Sequence, residues 1–176
     1  MSTPRHGDTA PVTIRLADPA DAEAVMDIYN VEVLQHTSTM DLVPRTLGQQ
    51  KEWLADRSGA FAAVVATIDV DGSDTVVGFA SLSPFKPRHA YSTTVENSVY
   101  VSRDHAGLGI GRALMDHLVD LARTSGFHSI IAHIEASSTS SRALHLSCGF
   151  EVVGVQREVG RKFGKWLDVA VYQLML

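Results

Sequence analysis

Three glycines spaced two apart, Gly107, Gly109 and Gly111, lie in the segment Ala106-Gly-Leu-Gly-Ile-Gly-Arg112, just after the β-type run Ser98-Val-Tyr-Val-Ser102. Glycine lets a backbone approach a ligand closely, and the free N–H groups at a helix start carry partial positive charge. The pattern therefore predicts an anion cradle at a strand-to-helix turn. It is neither the dinucleotide fingerprint G-x-G-x-x-G nor the P-loop G-x-x-x-x-G-K-[ST]. A glycine-rich connection that binds nothing is the plain alternative. Glu96 sits in the strand before it, amid Val, Ser and Tyr, where a carboxylate is costly if buried without partners. An outward-facing or ion-paired glutamate is the other reading. His145 and Cys148 are i and i+3 on one helix, a spacing that suits an activated thiol as well as simple packing. Lys86 and Arg88 alternate with Phe85 and Pro87, with Tyr91 and Thr94 close behind. Two cations beside an aromatic suit a compact zwitterion, and a solvated basic loop has the same letters.

The elements that must position these groups follow from periodicity. Residues 1–11 (MSTPRHGDTAP) have no apolar period and are expected to be a disordered leader. Val12–Leu16 alternates like a strand, and Asp18-Pro19 caps a helix with apolar positions at Ala22, Val25, Met26 and Tyr29. Val33–Arg45 is expected to be a loop, containing Thr37, Thr39 and Met40. Thr46-x-x-Gln49 is a capping-box pattern that opens a second helix ending near Arg57–Gly59. Phe61–Ile68 and Val76–Leu82 flank Asp71-Gly72, a favourable hairpin turn. Thr93–Ser102 is a strand, followed by a helix with a stripe of Ala113, Leu114, Leu118, Leu121 and Ala122. Ser129–Glu135 is a strand and Thr139–Ser147 a helix. Strands near 150–159 and 166–174 flank Phe163-Gly164-Lys165. The order β-α-α-β-β-β-α-β-α-β-β implies one α/β (α+β mixed) domain with a mixed sheet covered by helices.

Composition narrows the function. The 176 residues are 45% hydrophobic and 20% charged, enough for one sizeable core. Twenty Asp plus Glu against fifteen Lys plus Arg disfavour a chain-wide nucleic-acid or anionic-membrane footprint. Arg157, Arg161, Lys162 and Lys165 crowd the final hairpin around Phe163 and Trp166 but are too few for one. No apolar run approaches the roughly 20 residues of a membrane span, and no secretory signal is evident, so a cytoplasmic protein is expected. A single cysteine leaves neither an internal disulfide nor a thiolate cluster for metal. His133-x-Glu135 lacks the P-C-x-x-C that a zinc deaminase needs, and reads as alternate residues on a strand face. No G-x-S-x-G nucleophile elbow occurs.

The segment Ala106–Gly111 resembles the pyrophosphate signature [QR]-x-x-G-x-[GA] of the GCN5-related N-acetyltransferase (GNAT) superfamily. A closer resemblance is to its phosphinothricin and methionine sulfoximine acetyltransferase branch. That resemblance is carried by Pro84–Arg88, Tyr91, Thr94–Val101, Ala143-Leu-His145, Gly149-Phe150 and Gly160–Asp168, and it covers nearly all of Val12–Leu176. It implies a central, mostly antiparallel twisted sheet flanked by helices over residues 12–176. It also implies acetyl-CoA as cosubstrate, no metal, a small amino-acid-like acceptor and a homodimer using the C-terminal strands.

The family likeness also implies site roles. The backbone of Val99, Tyr100 and Val101 would pair with the pantetheine arm. Gly107, Leu108, Gly109, Ile110, Gly111 and Arg112 would hold the pyrophosphate, with Ser138 and Ser141 nearby. Glu96 would accept the amine proton, directly or through water. An α-amine near pKa 8 needs only about 1.4 kcal/mol to be neutral at pH 7, and burial would make the carboxylate a better base. His145 stands where many members carry a tyrosine that protonates the CoA thiolate; read alone, it is a packed core histidine. Thr37, Thr39, Lys86, Arg88, Tyr91 and Thr94 would hold the acceptor. Three residues depart from the pattern: Ala106 for Gln or Arg, Leu108 for a basic or polar residue, and Ser138 for Asn. They are expected to weaken CoA binding without abolishing it, because the backbone donors and a helix dipole of about 0.3–1 kcal/mol remain. Other small amines as acceptors, or a non-catalytic acyl-CoA binding module, remain open at this point.

Overall fold

The computed structural model describes residues 11–176. The expected leader lies outside the described residues except for Pro11. The elements are β1 (Thr13–Leu16), α1 (Ala22–Gln35), α2 (Leu47–Ala55), β2 (Val64–Val70), β3 (Ser73–Pro84), β4 (Thr94–Val101), α3 (Ile110–Thr124), β5 (Ser129–Glu135), α4 (Thr139–Ser147), β6 (Glu151–Lys162) and β7 (Lys165–Met175), with short 3-10 turns between several of them. The seven strands form one mixed sheet in the order β1-β2-β3-β4-β5-β7-β6. Only β4 and β5 are parallel neighbours, joined by the α3 crossover.

Local chemistry explains most boundaries. Thr46 Oγ1 accepts from the Gln49 backbone N–H while the Gln49 side chain accepts from Thr46 N–H, so the capping box opens α2 as its letters predict. Asp18 and Asp21 form a second such box before α1. α1 runs on to Gln35, because Val25, Tyr29 and Val33 lie four apart and are all buried; the loop expected from Val33 therefore begins at His36. The last hairpin turns on Phe163-Gly164 alone, both with positive φ (50° and 75°), so its strands are longer than the sequence implied.

Two cores clamp the sheet. On one face α3 buries Ile110, Leu114, Met115, Leu118, Val119 and Ala122 against Val64, Ala80, Val95 and Ile130. The stripe is shifted slightly from the expected one, with Ala113 and Leu121 at its margin. On the other face α1 sets Val25, Tyr29 and Val33 against Val65 and Phe79. Burial at about 25 cal/mol per Å2 of apolar surface makes these two seams the main stabilising contacts. They fix the strands between them, β4 and β5, which carry the site.

Candidate active site

β4 and β5 pair only through Thr94–Glu96 with Ser129–Ile131. On its other edge β4 stays bonded to β3 as far as Val101, and β5 stays bonded to β7 as far as Glu135. The facing edges of Asn97–Val101 and Ala132–Glu135 therefore have no strand partner and splay apart. Unpaired backbone donors and acceptors at such an edge can pair with an extended ligand, as in strand addition. The splay opens a cavity of about 520 Å3, within the usual range for small-molecule sites.

One side of the cavity is the cradle. Gly107 and Gly109 both have φ +80°, a left-handed conformation open to glycine at little cost, and a Cβ at either would meet nothing within 4 Å. Gly109 is the N-cap of α3, so the first free N–H groups of that helix point out of the turn. Gly111 serves packing: a Cβ there would press on Leu144 at 3.2 Å, so its absence lets α4 close against α3. Val99, Tyr100, Val101, Gly107, Gly109, Ile110, Gly111, Ser138 and Ser141 line the cavity. The open turn, the unpaired edge and the N-terminal donors fit a pantetheine arm ending in a diphosphate. Leu108 and Arg112 are not on the wall: Leu108 is exposed, while Arg112 grips both Asp116 oxygens and donates to Ser147 O, bracing α3 to α4.

On the same side, His145 is buried, 5% exposed. Its Nδ1–H donates to Ser141 O at 2.8 Å, and its Nε2 accepts from Asn97 Nδ2 at 3.0 Å. Burial holds the imidazole below its ordinary pKa, against a smaller opposing effect of the Ser141 carbonyl. Neutral His145 thus has no free N–H aimed at the cavity. Asn97 Oδ1 is buried without a partner, an unusual state for a buried polar atom. Neither Asn97 nor this bond was foreseen. Cys148 stays off the wall, and burial raises its thiol pKa, the reverse of an activated thiol.

The opposite face of the sheet carries Glu96, Ser98, His133 and Glu135, because strand residues alternate. Glu96 is half-buried and partnered, nearer the ion-paired reading than a carboxylate buried alone. Its side chain is 35% exposed and accepts from His133 Nδ1–H at 2.8 Å. Phe85 stacks on the His133 ring with centroids 6.4 Å apart. Glu135, 8% exposed, accepts from Ser137 N–H, Ser137 Oγ and Thr37 Oγ1. Thr37 thus holds Glu135 and does not line the cavity. Thr39 does line it, bonded to Tyr29 Oη at 3.1 Å. Glu32 also lines it: burial pushes its carboxyl up, but hydrogen bonds from Arg103 and Ser38 outweigh that and hold it below its ordinary pKa. Lys162, which the sequence placed among surface charges, is 2% exposed; it donates to Glu32 O and Thr39 O and pins the 36–41 loop to the final hairpin.

Besides Thr37, four expected acceptor residues, Lys86, Arg88, Tyr91 and Thr94, lie off the wall. Lys86 stands over Phe85 and Tyr91, at 4.7 and 5.2 Å from the ring centroids. Arg88 is exposed, and Thr94 bonds to Ser129 Oγ at 3.2 Å. This segment reaches the Glu96–His133 face through Phe85. Among the described residues no cluster of three His, Cys, Asp or Glu is placed to hold a metal ion, and no helix is long and apolar enough to cross a membrane.

Residues 14–171 match the acetyltransferase (GNAT) domain family. The chain is 36% identical to an L-methionine sulfoximine/L-methionine sulfone acetyltransferase of Pseudomonas aeruginosa, with 93% of this chain and 94% of that one covered. It is 36% identical to an L-amino acid N-acyltransferase of Escherichia coli K12, with 94% of each covered. Among solved structures it is similar to a phosphinothricin acetyltransferase from Sinorhizobium meliloti in complex with acetyl-CoA, with 37% identity, a TM-score of 0.88, and 94% of this chain and 88% of that one covered. With a domain match over most of its length and relatives above 30% identity, the chain belongs to the GCN5-related N-acetyltransferase family, whose enzymes use acetyl-CoA.

Proposed function

We propose that this protein moves acetyl from acetyl-CoA directly to the amino group of a small amino-acid-like acceptor of the phosphinothricin, methionine sulfoximine or methionine sulfone type. The observation that carries the reading is one cavity with two unlike faces: an anion cradle beside an open strand edge, and a carboxylate–imidazole pair across from it. The names of the relatives support the acceptor class.

Acetyl-CoA brings an activated thioester; the chain's residues do the rest. The amides following Gly107 and Gly109 and the start of α3 hold the diphosphate, with Ala106 and Ser138 offering less than a charged or amide side chain would. Donors along Val99–Val101 orient the acyl arm. The Glu96–His133 pair receives the amine proton. Lys86, Arg88, Tyr91 and Thr94 border the acceptor face, where cations suit the acceptor's carboxylate and its phosphinate or sulfoximine oxygens. His145 stands on the cradle side, where Ser141 O takes its Nδ1–H and the Asn97 amide donates to its Nε2, so in its neutral form it has no N–H to give the departing thiolate and its part is to hold Asn97 at the edge of β4.

The exposed Val152, Val153, Val155, Phe163 and Trp166 of β6 and its hairpin make a homodimer the assembly we propose, and the cytoplasm is the proposed location. Free-thiol release with acetyl-CoA, measured over methionine sulfoximine, methionine sulfone, phosphinothricin and common amino acids, tests the function. Saturable release with one or more of them is expected. Tight acetyl-CoA binding with no release above background for any acceptor would make the chain a binding module instead.

A further inference from the structure

We propose that the atom taking the acceptor's ammonium proton is Nε2 of His133, with Glu96 as its orienting carboxylate. The inference rests on the acetyltransferase reading and names a residue to which neither the sequence pattern nor the family likeness gave a role. His133 lies two residues beyond Ile131, the β5 partner of Glu96, and alternation brings both side chains to the acceptor face. The 2.8 Å bond uses Nδ1–H as donor and Glu96 Oε1 as acceptor, which fixes the tautomer and leaves the Nε2 lone pair free. Phe85 stacks nearly parallel to the ring, at 17°, and limits its rotation. A carboxylate holding the far nitrogen of an imidazole that does the proton transfer is the same division of labour as in hydrolase triads.

Proton affinity favours the same atom. An α-amine has a reference pKa near 8, an imidazole near 6.5 and a carboxyl near 4.3, so proton transfer to a free carboxylate is uphill by about 5,000-fold and to a free imidazole by about 30-fold. The charged groups around His133 are Glu96 from β4, Glu135 two residues along its own strand, and Lys86, whose ammonium stands over the far partner Phe85.

In the step, an ammonium N–H bond breaks and its proton goes to Nε2. The freed nitrogen lone pair forms the N–C bond to the thioester carbonyl carbon, and the C–S bond breaks with its electron pair leaving on sulfur. The nitrogen sheds a second proton, so of the two protons lost one completes the thiol and the other reaches solvent. His133 can release its proton directly, since its side chain is about one third exposed.

The test compares His133→Phe, which keeps the ring stack but removes both nitrogens, with His133→Gln and Glu96→Gln in the otherwise intact protein. Acetyl-CoA affinity and circular dichroism serve as folding controls. Both His133 variants are expected to lose at least 100-fold in kcat with acetyl-CoA KM within twofold, and their rates should keep rising with pH towards the amine's own pKa. Glu96→Gln, which can still accept from Nδ1–H, is expected to lose about tenfold. A His133→Phe rate within threefold of wild type, or a Glu96→Gln loss larger than that of either His133 variant, overturns the proposal. Absence of thiol release by the wild-type protein would instead overturn the acetyltransferase reading on which it rests.

Discussion

The cradle and the acceptor face border the same cavity but are built differently. The cradle is local: Gly107, Gly109 and Gly111 follow β4 after one short 3-10 turn, and its donors belong to the first turn of α3. The acceptor face is assembled over long separations. Glu96 meets His133 across 37 positions, Arg103 meets Glu32 across 71, Thr37 meets Glu135 across 98, and Lys162 reaches Thr39 O across 123. A local device can be reused for one invariant ligand, which under the proposed function is the diphosphate end of the carrier. A face stitched from distant segments can change with the acceptor while the fold stays fixed.

If the two faces are separable, substitutions should affect one substrate at a time. Gly109→Val places a β-branched side chain at φ +80° and in the open space of the turn. It should raise acetyl-CoA KM about 30-fold, roughly 2 kcal/mol, and leave acceptor KM within twofold, as read from two-substrate kinetics. Lys162→Met frees the 36–41 loop and should raise acceptor KM about fivefold with acetyl-CoA KM unchanged. Denaturant midpoints should report a loss of about 1–2 kcal/mol, because two charge-assisted bonds go while the cost of burying the ammonium is relieved. Ala106→Arg restores a cation beside the cradle and should tighten acetyl-CoA about threefold by calorimetry, without touching acceptor KM.

A last effect, on stability and not on either substrate, concerns His145. Burial holds its folded-state pKa below the ordinary 6.5. As pH falls below that value the unfolded chain binds a proton that the native chain refuses. The stability contribution is therefore complete above about pH 6.5 and is lost on the way down, by at most about 1.4 kcal/mol per pH unit. Wild type minus His145→Gln, compared by denaturation at pH 7.5 and 5.5, should show that loss; equal pH slopes would mean that the imidazole is not held neutral.

The same contrast accounts for what the sequence made legible. The Thr46–Gln49 box, the Asp71-Gly72 hairpin, β5, α4 and the glycine turn that opens α3 are written in contiguous letters, and each forms where those letters place it. His133 was passed over as one of two alternate residues on a strand. Its alternation showed that it shares a face with Glu135, but the register between parallel β4 and β5, which gives it Glu96, is set by the α3 crossover and not by either strand. Asn97 was missed for a similar reason: its partner lies on α4. Arg112, a cation beside a glycine turn, promised a phosphate contact, but Asp116 one helical turn on and the Ser147 carbonyl claim it. Lys162 looked like one of four surface charges because nothing in the hairpin's letters reveals that the end of α1 lies over it.

Direct transfer between the two faces is tested most plainly by initial rates of thiol release, with acetyl-CoA varied at several fixed concentrations of methionine sulfoximine. Double-reciprocal lines that intersect, with no acetyl group retained on the protein by mass spectrometry, are expected for a chain that holds both substrates in one cavity. Parallel lines together with an acetylated Cys148 would contradict it.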